Sequence, residues 1–155
     1  MSYLKASDII SGQEGKATAT IDGVVEVMAY VKNFEATFEK QKSEIKTLGH
    51  RGTQHKTTGW NGTGSMTLYY ITSRFRELAH KYAKEGVDTN FDITIVNDDP
   101  TSTVGNQTVA FYGVNLDSTI LAKLDVDNTE LDEDVDFTFD DFEILNSFGT
   151  PTYGA

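Results

Sequence analysis

The stretch DVDFTFDDFEI at residues 134–144 alternates apolar and polar side chains, the pattern of a β-strand with one buried face. Its odd-numbered residues from Val135 to Phe139 are apolar, and the residues between them are polar. After Asp140-Asp141 the apolar residues move to even positions. A strand with a period of two changes phase only by twisting or bulging, so we expect a bulge at this aspartate pair.

The same two-residue period recurs along the chain. Apolar residues take odd positions from 25 to 31 and even positions from 34 to 38, so we expect another bulge near Lys32-Asn33. Further strands are predicted at 66–71, 91–95, 108–116 and 120–124. Many short strands joined by turns predict a mainly antiparallel β-sandwich or barrel.

One segment has the period of an α-helix instead. From Phe75 to Ala83 the apolar residues fall three or four positions apart, which places them in one stripe. Ser73 suits the N-cap, and Gly86 stands where a left-handed residue often ends a helix. We predict one helix, at about 73–85, that flanks the sheet and lies flat on it.

Residues 40–64, KQKSEIKTLGHRGTQHKTTGWNGTG, are polar and rich in glycine. Loops longer than about 12–15 residues are uncommon in compact domains and are usually functional or disordered. We therefore expect a long, flexible, functional loop. Trp60, near its end, has two interpretations: a core anchor where the loop rejoins the sheet, or an interface anchor, because tryptophan is enriched at contact hot spots.

Length and composition limit the class of protein. The 155 residues fit a single domain, 1–155, with an N-terminal arm at 1–12. The absence of cysteine excludes disulfides and thiolate chemistry. No apolar run approaches the roughly 20 residues that span a bilayer, so we expect no membrane anchoring, and the first residues do not resemble a signal peptide.

The charge is divided unevenly along the chain. The net charge of -11 opposes static binding to phosphate backbones. Residues 1–84 hold 12 bases and 8 acids, whereas residues 85–155 hold 16 acids and only Lys123 as a base. A basic front and an acidic back allow copies of the chain to attract each other.

No segment carries the pattern of an active site. The three histidines, at 50, 55 and 80, lack the further ligands that a metal site needs. Residues 125–130 begin like a calcium loop, but Glu130 stands where the sharp turn needs glycine. No nucleophile has a neighbouring base, so we expect no catalytic residue, cofactor or metal.

Three blocks of sequence resemble a known family. They are SGQEGKATATIDG at 11–23, IKTLGHRGTQHKTTGWNGTGSMTLYYITSRF at 45–75 and GVNLDSTILAKLDVD at 113–127. The chain resembles the tail tube proteins of contractile phage tails, of the type found in PBSX-like defective prophages. That family is related to the type VI secretion tube protein.

The resemblance implies an architectural function. Six copies would form a ring around a channel, and rings would stack into a hollow tube inside a contractile sheath. The implied partners are further copies of the chain, the sheath protein, baseplate or initiator proteins, terminator proteins, and DNA as passing cargo. The implied location is a virion tail or phage-like particle assembled in the host cytoplasm.

The resemblance also implies that residues 40–62 form a stacking loop that reaches the next ring. From the charge split we expect this basic loop to dock on part of the acidic segment 125–143. The candidate interface residues are Lys40, Lys42, Lys46, Arg51, His55, Lys56, Trp60, Asp132, Glu133 and Asp134. The alternative function is a monomeric β-sandwich that serves as a binding module of a fibre or receptor-binding protein.

Overall fold

The structure is a computed structural model that describes all residues from 1 to 155. Ten strands and one α-helix confirm the predicted fold class. The elements are β1 Tyr3–Leu4, β2 Gly15–Ile21, β3 Val24–Val27, β4 Val31–Ile45, β5 Gln54–Tyr69, α1 Arg74–Glu85, β6 Phe91–Asp98, β7 Asn106–Ser118, β8 Asp132–Phe139, β9 Asp141–Asn146 and β10 Tyr153–Gly154. The α-helix is not long and apolar enough to cross a membrane.

Most strands belong to one antiparallel sheet that bends back on itself. The order is β3-β2-β6-β7-β8-β5-β4, and β9 also pairs with β7. The first part of β7 pairs with β6 and β9, and its last residues pair with β8. We call β3-β2-β6-β7-β9 the first sheet, and β4, β5, β8 and residues 115–118 of β7 the second sheet. The two sheets form an open sandwich, because β3 and β4 do not pair.

The two predicted phase changes have different structural causes. A register shift between Val31 and Asn33 confirms the first bulge. At the second, the chain leaves β8 for β9, and the backbone N–H of Asp140 donates to the Tyr112 carbonyl at 3.0 Å. Opposite this corner Gly113 has φ +66°, and a Cβ there would lie 2.6 Å from the Asp140 carboxylate. The phase reverses because the strand passes from one sheet to the other.

The core fills the space between the two sheets and extends under α1. Phe34 of the second sheet packs against Phe111 of the first, with ring centroids 5.7 Å apart. Phe75, the first apolar residue of the helix, is buried against Phe91. Val135, Phe137 and Phe139 are buried, as the alternation predicts.

The predicted long loop at 40–64 is wrong, because most of it is strand. β4 and β5 pair as far as Ile45 and Gln54, so only residues 46–53 turn the chain. The outer part of this hairpin has no layer against either face, so its strands carry no apolar alternation. Gly62 and Gly64 also lie in β5. Glycine is needed at both positions because the rings of Phe139 and Phe137 occupy the space that a Cβ would take.

Two smaller predictions also differ from the structure. The strand expected at 120–124 is absent, and residues 119–131 form an irregular, exposed segment. The helix begins after Ser73 and ends at Gly86 with φ +71°, as predicted. Its stripe does not lie flat on the sheet throughout, because Tyr82 keeps 59% of its surface exposed.

The N-terminal arm is tied to the rest of the chain by two buried carboxylates. Asp8 accepts hydrogen bonds from the backbone N–H groups of Thr103, at 2.6 Å, and Thr152, at 3.0 Å. Asp99 accepts one from the backbone N–H of Ser11 at 2.9 Å. These bonds lower the pKa of both carboxyls below 3.8. The largest contribution comes from the Thr103 N–H for Asp8 and from the Ser11 N–H for Asp99. β1 then pairs with β10, so both chain ends lie together.

Candidate assembly surfaces

The hairpin projects beyond the sandwich as a two-stranded arm. β8 pairs with residues 62–69 of β5 only, so residues 54–61 extend past it. Eight strand residues correspond to about 26 Å. We call residues 40–61 the hairpin arm. Its exposed bases and histidine are those predicted for the interface: Lys40, Lys42, Lys46, Arg51, His55 and Lys56.

Aromatic rings gather at the root of the hairpin arm. Trp60 stacks on Phe38 with ring centroids 5.2 Å apart, and meets Phe142 edge-on at 5.6 Å. The Trp60 side chain nevertheless remains 37% exposed. Trp60 therefore anchors the hairpin arm to the sandwich and leaves part of its ring uncovered, and its place in an interface stays a prediction.

The three acids predicted for the interface lie in different environments. Asp134 is exposed and accepts a hydrogen bond from the Thr67 hydroxyl at 2.8 Å. Asp132 is half-buried and pairs with Lys32 at 2.9 Å. Glu133 is only 1% exposed, so the prediction that it lies in an interface is wrong.

Glu133 instead holds α1 against β8. The Nη1 atom of Arg76 donates to its carboxylate at 2.6 Å, and Nη2 donates to the Thr72 carbonyl. The guanidinium also lies 4.4 Å from the centre of the Tyr70 ring. The strand alternation could have predicted this burial, because Glu133 shares the odd-numbered face with Val135.

The outer face of the second sheet is polar and lacks bases. Paired residues such as Glu35, Ser65 and Asp136 lie side by side on it. We call this surface the polar face. Its members are Glu35, Thr37, Thr63, Ser65, Thr67, Asn115, Asp117, Asp134, Asp136 and Thr138. Lys32 lies at its margin, within 2.9 Å of Asp132 and 3.5 Å of Glu130.

Sequence reasoning missed the polar face as a unit. Short alternating runs of Thr, Ser and Glu in β4 and β5 carry the signal, but the predicted loop at 40–64 includes residues 63 and 64. Only the register between β4, β5 and β8 brings these residues together. That register depends on pairing across the whole sheet and cannot be read from one segment.

The remaining candidate groups form no site for a metal. No three His, Cys, Asp or Glu side chains are grouped so that they could hold an ion. Asp125 accepts hydrogen bonds from the backbone N–H of Asp127 and the side chain of Asn128, which closes a local turn. The His50 ring lies 2.8 Å from the Gly52 carbonyl, within the hairpin turn.

Comparisons with known proteins agree with this architecture. A family model described as phage tail tube protein matches residues 2–146. The phage-like element PBSX protein XkdM of Bacillus subtilis (strain 168) is 49% identical over 141 residues, covering 91% of this chain and 93% of XkdM. The uncharacterized protein YqbM of the same strain is 48% identical, with the same coverage.

Solved structures share the fold at low sequence identity. The anti-feeding prophage tube-terminating cap structure gives a TM-score of 0.70 at 10% identity, over 90% of this chain and 92% of the matched one. The sheath–tube complex of the PVC extracellular contractile injection system gives 0.69 at 10% identity, over 90% and 93%. The family match over most of the sequence and the shared fold show that the chain belongs to the phage tail tube protein family.

Proposed function

We propose that this chain is the structural subunit of a hollow tube, in which copies close into six-membered rings and rings stack inside a contractile sheath. The observation that carries the proposal is the second sheet. β4 forms its outer edge along 15 residues, and β5 is its only neighbour. A long unpaired edge invites pairing with another chain, and closure around a ring covers every such edge.

The polar face suits the wall of a channel. A strand that continues the sheet from copy to copy would place this face on one side of the ring throughout. None of its ten members is a lysine or arginine. Each basic contact to phosphate adds affinity, so a wall of hydroxyls and carboxylates would let DNA pass without holding it.

The hairpin arm suits contact between rings. It extends about 26 Å beyond β8, far enough to lie alongside a neighbouring copy. Residues 40–56 hold five bases against Glu44, and residues 125–143 hold ten acids and no base. We infer that the hairpin arm docks on part of this acidic segment, without the buried Glu133. Each exposed pair contributes only about 0–1 kcal/mol, so stacking would depend on many pairs around the ring.

The remaining partners follow from the family. We infer that the outer surface of the tube contacts the sheath, and that baseplate and terminator proteins meet its two ends. The function is structural and requires no catalytic residue or cofactor. The tube would be assembled in the host cytoplasm and carried in a virion tail or phage-like particle.

Negative-stain electron microscopy and sedimentation of the purified full chain test the proposal. We expect rings and hollow tubes with six-fold symmetry as the protein concentration rises. A chain that stays a 17.1 kDa monomer at every salt and protein concentration, even with its initiator proteins, would overturn the proposal. That result would favour a monomeric β-sandwich that serves as a binding module.

A further inference from the structure

An apolar groove opens between the two sheets at the root of the hairpin arm. It has a volume of about 340 Å³, and nine of its eleven lining residues are hydrophobic. Phe38, Phe142 and Ile144 form part of its walls, and the first and last of these are exposed large side chains. We call it the aromatic groove. Apolar surface of this kind, left open on a subunit, is typical of a contact site.

The segment 119–131 projects from the surface, whereas the aromatic groove is recessed, and its apolar side chains are also uncovered. Leu124 and Val126 project from it with 96% and 100% of their surfaces exposed. Acids alternate with these residues, at Asp125 and Asp127. We call residues 119–131 the acidic loop. It presents two apolar side chains that nothing in its own chain covers.

The aromatic groove and the acidic loop lie at opposite ends of β8. The acidic loop ends at Leu131, immediately before the strand begins at Asp132. The aromatic groove contains Phe139, with which the strand ends. The loop leaves β7 at Ser118, which pairs with Asp136, but Lys123, the neighbour of Leu124, donates to the Asp132 carbonyl. Seven strand steps, about 23 Å, separate Asp132 from Phe139, so the part of the loop that carries Leu124 lies far from its own groove. Copies added head to tail would bring the loop of one to the groove of the next, and such a contact does not close.

The charges around the two surfaces are complementary. Lys40 pairs with Trp60 across the hairpin arm, so both lie on the face that carries Phe38, and Lys42 follows just past a register shift at Gln41. Lys40 is two residues along β4 from Phe38, which forms part of the groove wall. The acidic loop carries Asp125 and Asp127, and its one base, Lys123, donates to the Asp132 carbonyl at 2.7 Å. Complementary charge of this kind selects the partner and fixes the register.

We propose that Leu124 and Val126 of one copy insert into the aromatic groove of the next copy along the tube, with Asp125 and Asp127 beside Lys40 and Lys42. This inference rests on the proposed function, and it names the apolar contact that joins ring to ring. The occupant of the groove is therefore a second copy of this chain. The sheath protein is the competing occupant that the test must separate.

Cysteine cross-linking tests the contact directly, because the chain has no cysteine of its own. We expect oxidised tubes of the Leu124→Cys, Ile144→Cys double variant to give a ladder of covalently linked chains. Each single variant, and the control pair Leu124→Cys with Val25→Cys on the exposed side of β3, should remain uncrosslinked. A cross-link within one chain, or to the sheath protein in whole particles, would overturn the inference.

A second variant measures the apolar contribution. Leu124→Asp should raise the protein concentration needed for tube assembly about 10- to 100-fold, the loss expected for one buried leucine. Leu124→Met, which keeps the apolar volume, should assemble nearly as the parent does. If the parent forms tubes, and either Leu124→Asp forms them equally well or tubes of the Leu124→Cys, Ile144→Cys variant give no ladder, the inference fails and the proposed function stands. If the parent forms neither rings nor tubes, both fail.

Discussion

Breaking the buried ion pair between Arg76 and Glu133 should lower the free energy of unfolding of the subunit substantially. Arg76→Met leaves the Glu133 carboxylate, 1% exposed, without its 2.6 Å partner. Removal of one member of a buried pair costs about 3–5 kcal/mol, because the other charge stays uncompensated in a poorly solvated site. For a chain of this length, that loss corresponds to a fall in Tm of about 6–20 °C.

Urea denaturation of the unassembled subunit measures the effect, with the fluorescence of Trp60, the single tryptophan, as the probe. Lys84→Met removes an exposed base from the same helix and should change the free energy of unfolding by about 0.5 kcal/mol or less. The double variant Arg76→Met, Glu133→Met should recover most of the lost stability, because no buried charge remains. A loss below about 1 kcal/mol for Arg76→Met, or no recovery in the double variant, would refute the reasoning.

Three further outcomes are expected. The pKa of both Asp8 and Asp99 is lowered, so the stability that these carboxylates give to the N-terminal arm is complete above pH 3.8 and is lost as the pH falls below it. Hydrogen exchange should therefore show release of residues 3–11 in acid. Asp8→Asn should release them at neutral pH. Gly64→Ala places a Cβ against the Phe137 ring and 2.8 Å from the Glu35 carbonyl, so urea denaturation should show a loss of about 1–3 kcal/mol, and a neutral result would contradict this packing. Reversal of Lys40, Lys42 and Lys46 to glutamate should block stacking while circular dichroism stays unchanged; normal tubes at low and high salt would exclude the electrostatic contribution.

Local patterns predicted the elements that have one buried face. The alternation from Val135 to Phe139 and the helix between Ser73 and Gly86 needed only nearest neighbours, and both are present. The hairpin arm escaped prediction because both its faces meet solvent, so the strands carry no apolar period. The glycines at 62 and 64 indicated a loop, but they accommodate aromatic rings from β8, a strand some 70 residues away in sequence.

The candidate surfaces also depend on contacts between segments that are distant in sequence. The bases of the hairpin arm are exposed, because a polar segment without a core face has to meet solvent, and their place in an interface stays a prediction. Composition does not separate Glu133 from Asp132 and Asp134, because all three are acids in one run, whereas the alternation toward Val135 does. Their different burial arises from alternation in β8 and from Arg76, which only the docking of α1 brings close.

The pairing of β5 also determines how the subunit would bear mechanical load. A pull on the hairpin turn at residues 46–53 travels down both strands to the root. There it passes into the sandwich through the eight residue pairs between β5 and β8. The force runs parallel to these strands, so their hydrogen bonds are loaded together in shear and cannot be peeled apart one after another. We therefore expect the root of the hairpin arm to resist a pull on its turn.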